Sequence, residues 1–583
     1  MVLGNSLTIN RPQRWDQPFG PDMTDDDVAR VLSTDLFSKM DQSRFPPNAS
    51  LGDIVRNDSR LIRFGRGEII VRTGDHGDSA FLIMSGHVGV VLQPELPQNL
   101  LGRAETATRS VWSALAQIWE RPKMPEVRDV RKVLASDAVD LQTSSDGEFR
   151  TRLPDLDKIL NEYRIVELGP GEMFGEIAAL TRTSRTNTIF AKDDVELLEI
   201  RRPGLRDVRR RVESFKAHVD QLYRDRSLQT HLRYADIFAH LDDETIDVLV
   251  KRTRFETYGD FDWQTSFMRV AEGTPDERLK KEPVIASEGD YPDGLLMVRS
   301  GFARVSFQVD NGHQTTTYLG HGSLFGLEEI VHNWRYGDNV PLQHSLRAVG
   351  YTDILRVPTR IIEECVLPNV AEERLPRFAN RRKHMRAVST DRRAGSGTRI
   401  KSSKRIGTDV LEFLVDNRVI NGTQTMLIDL DRCVRCDACS EACAVGHNNN
   451  PRFNRHGRRV QNLMVANACM HCNDPVCMIG CPTGAIHRVE GTGQVVVNDQ
   501  TCIGCATCAN NCPYNNIRMV EIRDDDGHPI LDKLTGQPVV KSTKCDLCAD
   551  QVGGPACQRA CPHDALVRMD MSDTEHLAEW LER

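Results

Sequence analysis

Cysteine is the residue type in this chain whose number and spacing can support chemistry. All of the 17 cysteines except Cys365 lie between residues 433 and 561 of the 583-residue sequence, where they form four runs of four. The runs are Cys433, Cys436, Cys439 and Cys443; Cys469, Cys472, Cys477 and Cys481; Cys502, Cys505, Cys508 and Cys512; and Cys545, Cys548, Cys557 and Cys561. Thiolates are soft ligands, and four of them around one site suit an iron–sulfur cube or a zinc ion.

The spacing within the runs distinguishes between these two metals. The first and third runs read C-x2-C-x2-C-x3-C. This spacing is typical of [4Fe–4S] sites, in which the fourth cysteine binds the neighbouring cluster, so runs act in pairs. Four runs therefore predict four clusters. Structural zinc explains the C-x2-C pairs but not the recurring third and fourth cysteines. A disulfide scaffold is disfavoured because only one cysteine lies elsewhere and no secretory signal is visible.

Residues 405–570 resemble the four-cluster electron-transfer subunits of molybdopterin oxidoreductases and some hydrogenases, the dimethyl-sulfoxide-reductase B-subunit type. In that family the second run widens before its third cysteine and the fourth run widens most, as the x4 and x8 gaps do here. The resemblance implies that runs one and four, and runs two and three, exchange their last cysteines. The implied ligand sets are quartet A (Cys433, Cys436, Cys439, Cys561), quartet B (Cys545, Cys548, Cys557, Cys443), quartet C (Cys469, Cys472, Cys477, Cys512) and quartet D (Cys502, Cys505, Cys508, Cys481).

The same resemblance implies a function. Such a chain passes single electrons between a catalytic partner, of the molybdopterin, hydrogenase or flavin NAD(P)H type, and another carrier. The sequence contains no molybdopterin, flavin or dinucleotide motif, so we expect a non-catalytic subunit of an oxidoreductase complex.

The amino-terminal part of the chain has a different pattern. Residues 61–92 and 163–202 contain short apolar alternations separated by glycines, which predict an all-β barrel. They resemble one cyclic-nucleotide-binding domain of the catabolite-activator type. The residues that carry the resemblance form the phosphate-binding cassette, residues 174–188, and are Phe174, Gly175, Glu176, Ala179, Leu180, Arg185, Thr186 and Thr188. Asn187 stands where the family usually has alanine.

The cassette implies a regulatory ligand, cAMP or cGMP. Arginine offers a planar fork to phosphate oxygens, which fits Arg185. The resemblance gives Glu176 a hydrogen bond from a ribose hydroxyl. The alternative is that Arg185 and Glu176 form only an internal ion pair in a domain that has lost its ligand.

Residues 231–370 repeat the pattern, because Gly289-Asp290 and Ser300-Gly301 follow the same order as in the first copy. The second cassette has no arginine at the phosphate position, where Gln343 and its neighbours stand. We expect this copy to keep the fold and to bind no cyclic nucleotide.

The domains predicted are therefore two β-barrels with flanking helices, at 1–230 and 231–370, and an α+β ferredoxin-like four-cluster domain at 407–583. The first barrel carries an insertion at about 93–163, with Trp112 and Trp119 on a helix-like stretch. Residues 371–406 form a basic linker, which is either a solvated tether or a docking segment for an acidic partner or nucleic acid.

One helix invites a prediction about assembly. Leu205, Val208, Val212, Phe215, Val219 and Leu222 are spaced by alternating steps of three and four, which is a heptad seam. The seam predicts either a homodimer or a helix packed on its own domain.

Composition limits the remaining functions. The net charge of −8 gives no nucleic-acid signature. No apolar run is long enough to span a bilayer, and the expected location is cytoplasmic. The alternative function is a redox- and nucleotide-responsive regulator. Sequence-specific DNA binding is disfavoured because no pair of amphipathic helices follows the barrels.

Overall fold

The computed structural model of the chain describes residues 18–92, 96–98, 100–101, 103, 124–128, 140–143, 149–154, 156–233, 235–259, 282–309, 312–378, 406–489, 492–532, 535–551 and 553–583. The predicted helix-like stretch with Trp112 and Trp119 lies outside these residues, and so does most of the basic linker. Within the described residues, no helix combines the length and the apolar character needed to cross a membrane.

The first barrel is built from short antiparallel strands. Its strands, with the hairpin of the insertion, are β1 (Ser59–Phe64), β2 (Ile69–Val71), β3 (Ser79–Ser85), β4 (Val88–Val91), β5 (Asp140–Thr143), β6 (Phe149–Arg152), β7 (Ile165–Leu168), β8 (Met173–Phe174), β9 (Ile189–Ala191) and β10 (Val195–Arg201). One sheet has the order β1-β10-β3-β8 and the other β2-β9-β4-β7, while β5 pairs with β6. Apolar side chains of both sheets form a common core, as their alternation in the sequence requires.

Helices flank this barrel. They are Asp25–Leu32, Asp35–Ser38, Leu51–Asp58, Leu156–Glu162, Glu176–Thr181, Arg202–Arg211, Glu213–Tyr223 and Gln229–Arg233. Thr24 and Ser50 start two of them with capping boxes, in which Asp27 and Asp53 return the hydrogen bond.

The predicted continuous heptad helix is wrong. Val212 has extended backbone angles, with φ −113° and ψ 101°, and separates two helices. The seam residues Leu205, Val208, Val212, Phe215 and Val219 are buried in the core of the first barrel's helices. The seam therefore packs on its own domain.

The second barrel repeats the first. Its strands are β11 (Arg254–Tyr258), β12 (Val284–Ala286), β13 (Gly294–Val309), β14 (Gly312–Leu319), β15 (Leu324–Phe325) and β16 (Ser345–Pro358), and its helices are Asp243–Arg252, Leu327–Tyr336 and Thr359–Ile361. The strand order is β11-β16-β13-β14, with β12 on β16 and β15 on β13.

The carboxy-terminal domain combines small sheets with short helices. Its strands are β17 (Thr425–Asp429), β18 (Asn454–Val460), β19 (Leu463–Asn467), β20 (Ile486–Arg488), β21 (Val495–Val497), β22 (Arg518–Glu521), β23 (Val540–Thr543) and β24 (Leu566–Met569). Its helices are Thr408–Asp416, Ala438–Gly446, Thr507–Asn511, Ala556–Arg559 and Thr574–Glu582. The sheets are β18-β19-β17-β24, β20-β21 and β22-β23. The predicted fold class, two all-β barrels followed by an α+β domain, is confirmed.

Buried ion pairs join the domains. Arg209 of the first barrel's helices and Arg299 of the second barrel both pair with Asp353, whose carboxylate is fully buried. Glu412, in the first helix of the carboxy-terminal domain, accepts hydrogen bonds from Arg304 and Tyr318 of the second barrel.

We expect Asp353→Ala to destabilise the protein strongly. Removing one partner of a buried ion network costs about 3–5 kcal/mol. Here the two buried guanidinium groups would be left with Asp220 as their shared carboxylate. Burial raises the pKa of Asp353, but Arg299 and Arg209 outweigh burial and hold it well below its ordinary value. The stabilisation is therefore present above the unfolded-state pKa and is lost only as the pH falls through the lower folded-state pKa.

Urea unfolding of the full chain, followed by circular dichroism, measures this loss. Asp338→Ala is the control, because Asp338 pairs with His332 at the surface, where a pair contributes about 0–1 kcal/mol. Equal unfolding midpoints for the two variants would contradict the structural role of Asp353.

Candidate functional site

The cysteine loops share a local backbone geometry. In all four runs the residue before the second cysteine has a positive φ: 62° at Arg435, 48° at His471, 75° at Gly504 and 58° at Leu547. Non-glycine residues in this region cost free energy and persist where the surrounding structure requires them. The repeated left-handed residue curls each C-x2-C segment around one point, as two ligands of one metal site require.

Two strand pairs bring distant runs together. β17 leads into run one and β24 follows run four, and these strands pair antiparallel with Leu427 opposite Val567. β20 follows run two and β21 precedes run three, and they pair with His487 opposite Val496. The topology therefore places run one beside run four and run two beside run three.

The cysteines meet as quartets. Three cavities are each lined by one complete quartet: A, C and D. The four cysteines of quartet B are all buried. Two of them, Cys443 and Cys557, lie on contacting helices and share one apolar cluster.

The donors around the sulfurs suit iron–sulfur clusters. Main-chain N–H groups point at cysteine sulfurs: Arg452 to Cys443 at 3.3 Å, Asn516 to Cys512 at 3.4 Å and Ala565 to Cys561 at 3.3 Å. Such hydrogen bonds to the sulfur ligands are one means by which proteins set cluster potentials.

Burial also disfavours free thiolates at these positions. It raises the pKa of Cys508 to about 11 and that of Cys557 to about 12. A metal that displaces the protons supplies the compensating charge, because thiolates are the form that binds metal. The residues therefore fit the clusters implied by the sequence.

The quartets form a row with the order A, B, C, D. Members of A and B share one apolar cluster, Cys469 of C and Cys545 of B share another, and C and D share a third. Each end of the row reaches solvent, since Cys436 of A and Cys505 of D are exposed. No cysteine of B or C is exposed.

The phosphate-binding cassette forms a turn around Gly175, which has a φ of 78°. Arg185 is buried and donates to the carbonyl oxygens of Gly175 at 2.6 Å and Ser79 at 2.7 Å. A Cβ on Gly77 would lie 2.3 Å from this guanidinium, so a larger residue there would displace it. The loop is thus shaped around the arginine.

Glu176 lies in the same cassette. It is 1% exposed, and burial raises its pKa. Oε1 lies 3.4 Å from Arg226, whereas the buried Oε2 has no hydrogen-bond partner among the described residues. This buried carboxylate oxygen is therefore free to accept the hydrogen bond from a ribose hydroxyl that the family resemblance implies.

The other cassette residues either pack in the core of the first barrel or form hydrogen bonds within it. Phe174 stacks on Phe81 with ring centroids 5.1 Å apart, and Ala179 and Leu180 are buried in the core beneath. The hydroxyl of Thr188 accepts from Thr73 N–H at 3.1 Å, and that of Thr186 donates to Asn187.

The cassette touches a cluster loop directly. Asp474, between Cys472 and Cys477 of quartet C, is bound by His76 Nε2 at 2.5 Å and by Arg182 of the cassette. Next to it, Arg72 donates to Pro482 O, after Cys481, at 3.1 Å. We name the three residues His76, Arg182 and Asp474 the clamp. Sequence reasoning missed the clamp because its members lie about 300 to 400 positions apart in the chain.

Comparison with known proteins finds one family match in the amino-terminal part of the chain and another in the carboxy-terminal part. A family described as 4Fe-4S dicluster domain matches residues 460–571, and a cyclic nucleotide-binding domain family matches residues 147–211 and 276–369. These matches confirm the two resemblances seen in the sequence.

Individual relatives cover the carboxy-terminal part. Electron transport protein HydN of Escherichia coli (strain K12) is 33% identical over 170 residues, and the match covers 26% of this chain and 91% of that relative. Arsenate respiratory reductase iron-sulfur subunit ArrB of Shewanella sp. (strain ANA-3) is 29% identical over 194 residues, covering 26% of this chain and 82% of that relative.

Among solved structures, "cAMP bound PfPKA-R (141-441)" matches 64% of this chain and 94% of its own, with 14% identity and a TM-score of 0.19. The identity and coverage of the first relative show the family. Through its carboxy-terminal region the chain belongs to the 4Fe-4S dicluster-domain family of electron-transport proteins, and two cyclic nucleotide-binding domains precede that region.

Proposed function

We propose that this chain is an electron relay that carries single electrons between a catalytic oxidoreductase partner and a second carrier. The observation that carries the proposal is the row of four cysteine quartets, which reaches solvent at quartet A and at quartet D. A relay needs one accessible site for its donor and another for its acceptor. The partner class follows the name of one relative, an iron-sulfur subunit of a respiratory reductase.

Each quartet holds one [4Fe–4S] cluster in this proposal, and the 16 cysteines are the ligands named in the sequence. The bound clusters supply one-electron chemistry. The protein contributes thiolates, hydrogen bonds to sulfur and an apolar packing between quartets that keeps water from B and C. We also propose the division into domains at 1–230, 231–370 and 407–583, with 371–406 as linker.

Regulation enters through the first barrel. We propose that a cyclic nucleotide binds at the cassette, with Arg185 on the phosphate and Glu176 on the ribose. Arg182 belongs to the same loop and holds Asp474, so a cassette that moves on binding also moves the loop of quartet C. The second barrel has Gln343 N–H bonded to Glu329 where a phosphate partner is needed, and we assign it no nucleotide.

The clamp also favours a second function. Coupling between two sites is reciprocal, so a nucleotide that biases the cluster loop is itself bound more or less tightly according to the state of the cluster. A free-standing chain with this property would act as a redox- and nucleotide-responsive regulator. Purification from the native host distinguishes the two functions, because a relay brings down a stoichiometric catalytic subunit.

Iron content tests the relay directly. We expect about 16 iron atoms per chain after anaerobic reconstitution, from four cubes of four. Cys561→Ala removes a ligand from quartet A and should lower the iron content by up to one cluster while the other three persist. Cys365→Ser is the matched control and should leave iron unchanged. A fully reconstituted wild-type chain holding half the expected iron contradicts the four-cluster proposal.

Arg185→Ala tests the nucleotide site. The variant loses the guanidinium that the phosphate requires, so calorimetry with cAMP and with cGMP should show no binding while the iron content stays at the wild-type value. Asn187→Ala restores the residue usual in the family and should still bind. Equal affinities of Arg185→Ala and wild type would overturn the cassette assignment.

Asp474→Ala tests the regulatory connection. The substitution leaves Arg182 and His76 without their carboxylate, so the cassette is no longer held to the loop of quartet C. In the wild type we expect saturating nucleotide to change the rate at which dithionite reduces the clusters; in Asp474→Ala, nucleotide should still bind but the rate should not respond.

Asp193→Ala is the control for the clamp, because Asp193 pairs with His87 on the exposed side of the same barrel. A rate that responds equally in wild type and Asp474→Ala would show that the clamp transmits nothing.

A further inference from the structure

Three cationic side chains lie inside the protein beside quartet C, where it meets quartet B. Lys544 is 3% exposed, Arg568 is 7% exposed and Arg488 is half-buried. Within the part of the chain that the structure describes, none of the three forms an ion pair with a carboxylate. Long cationic side chains are almost never buried without a partner, so an unpaired group of three requires another source of negative charge.

Their hydrogen bonds point to that source. Lys544 Nζ donates to the carbonyl oxygens of Cys545, at 2.8 Å, and Val495. Arg568 donates to the carbonyl oxygens of Cys469 and Gln424, both at 3.0 Å.

Both arginines also contact residues of the cysteine runs. Nη2 of Arg568 reaches the sulfur of Cys545 at 3.1 Å. Arg488 donates to the carbonyl oxygen of Cys472. The three cations therefore touch the loops that carry quartet C and the first cysteine of quartet B.

The nearby carboxylates are already engaged. Asp474 is held by the clamp. Asp546 accepts from His447 at 2.9 Å and from Cys548 N–H at 3.0 Å. The positive charge of Lys544 and Arg568 therefore faces the clusters that quartets B and C would hold, and Arg488 adds its charge at quartet C.

The other quartets have a weaker positive field. At the exposed quartet A, Arg455 is paired with Asp437 at 2.9 Å, and solvent screens both. Quartet D has the buried cations Lys541, which donates to the carbonyl oxygen of Cys502, and Arg72, which donates to that of Pro482 and is paired with Asp75. Its Cys505 is exposed. Quartet B shares Arg568 and Lys544 with C, and the charge of His447, beside Cys443, is paired with Asp546 at 2.9 Å.

We propose that Lys544, Arg568 and Arg488 give the cluster of quartet C the highest reduction potential of the four, so that the first electron to enter the relay settles there. An added electron makes a cluster more negative, and fixed cations in a poorly screened interior stabilise the reduced form more than the oxidised form. This inference rests on the proposed relay, because it needs quartet C to hold a cluster.

Lys544→Met tests the proposal in the full-length, anaerobically reconstituted protein. Redox titration followed by electron paramagnetic resonance should show that the highest-potential signal of the wild type moves down. We expect the equilibrium constant for its one-electron reduction to fall about tenfold, which is about 59 mV. Lys544→Arg keeps the charge and should keep that potential.

A second test variant and a control variant accompany Lys544→Met. Arg488→Gln should lower the same signal, and it decides the matter if Lys544→Met fails to hold clusters, because Arg488 is less buried. Lys541→Met should leave that signal in place and lower a different one. The proposal is overturned if Lys544→Met and Arg488→Gln leave the highest potential unchanged, or move only a lower one.

The relay and the tuning fail in different ways. Loss of the relay proposal shows as iron below four clusters in the wild type. Loss of the tuning proposal shows as full iron with potentials that do not respond to the three cations.

Discussion

Antiparallel pairing of two short strand pairs is the constraint on which the carboxy-terminal region depends. β17 with β24, and β20 with β21, hold together cysteine runs that are far apart in the chain. A cube needs four sulfurs from two runs, so without these ladders no quartet closes. The ladders are short, and each is extended by apolar contacts that include the cysteines themselves. Metal and core are therefore interdependent, as in other proteins whose site folds around its metal.

Buried charges connect this region to the barrels. Asp353 joins the two barrels, Glu412 joins the second barrel to the cluster domain, and Asp474 joins the first barrel to quartet C. Each carboxylate is held by donors from another domain. Removing one partner of such a buried pair is strongly destabilising. These pairs hold both barrels against the carboxy-terminal region.

The two barrels share a fold and differ in what their cassettes can do. Both cassettes begin with a left-handed glycine, Gly175 and Gly326, before a helix. The first then places Arg185 against two carbonyl oxygens, whereas the second closes with a bond between Glu329 and Gln343. The first barrel also contacts the loop of quartet C through the clamp, whereas the second barrel contacts the carboxy-terminal domain at Glu412, Val415 and Ile420. The cassette arginine and the contact with quartet C thus lie in the same domain.

The cysteine spacing by itself determined the metal class, the number of runs and the family, because ligand spacing in a loop is a local property. The glycine-punctuated alternation determined the barrels for the same reason, and the missing arginine of the second cassette was visible without coordinates. The heptad spacing led to the wrong prediction of one continuous helix, because spacing alone does not reveal that Val212 has extended backbone angles. The order of the quartets, the clamp and the three cations around quartet C were decided by the tertiary structure alone. They join residues from distant segments, and no local pattern records which buried charge will meet which partner once the chain has folded.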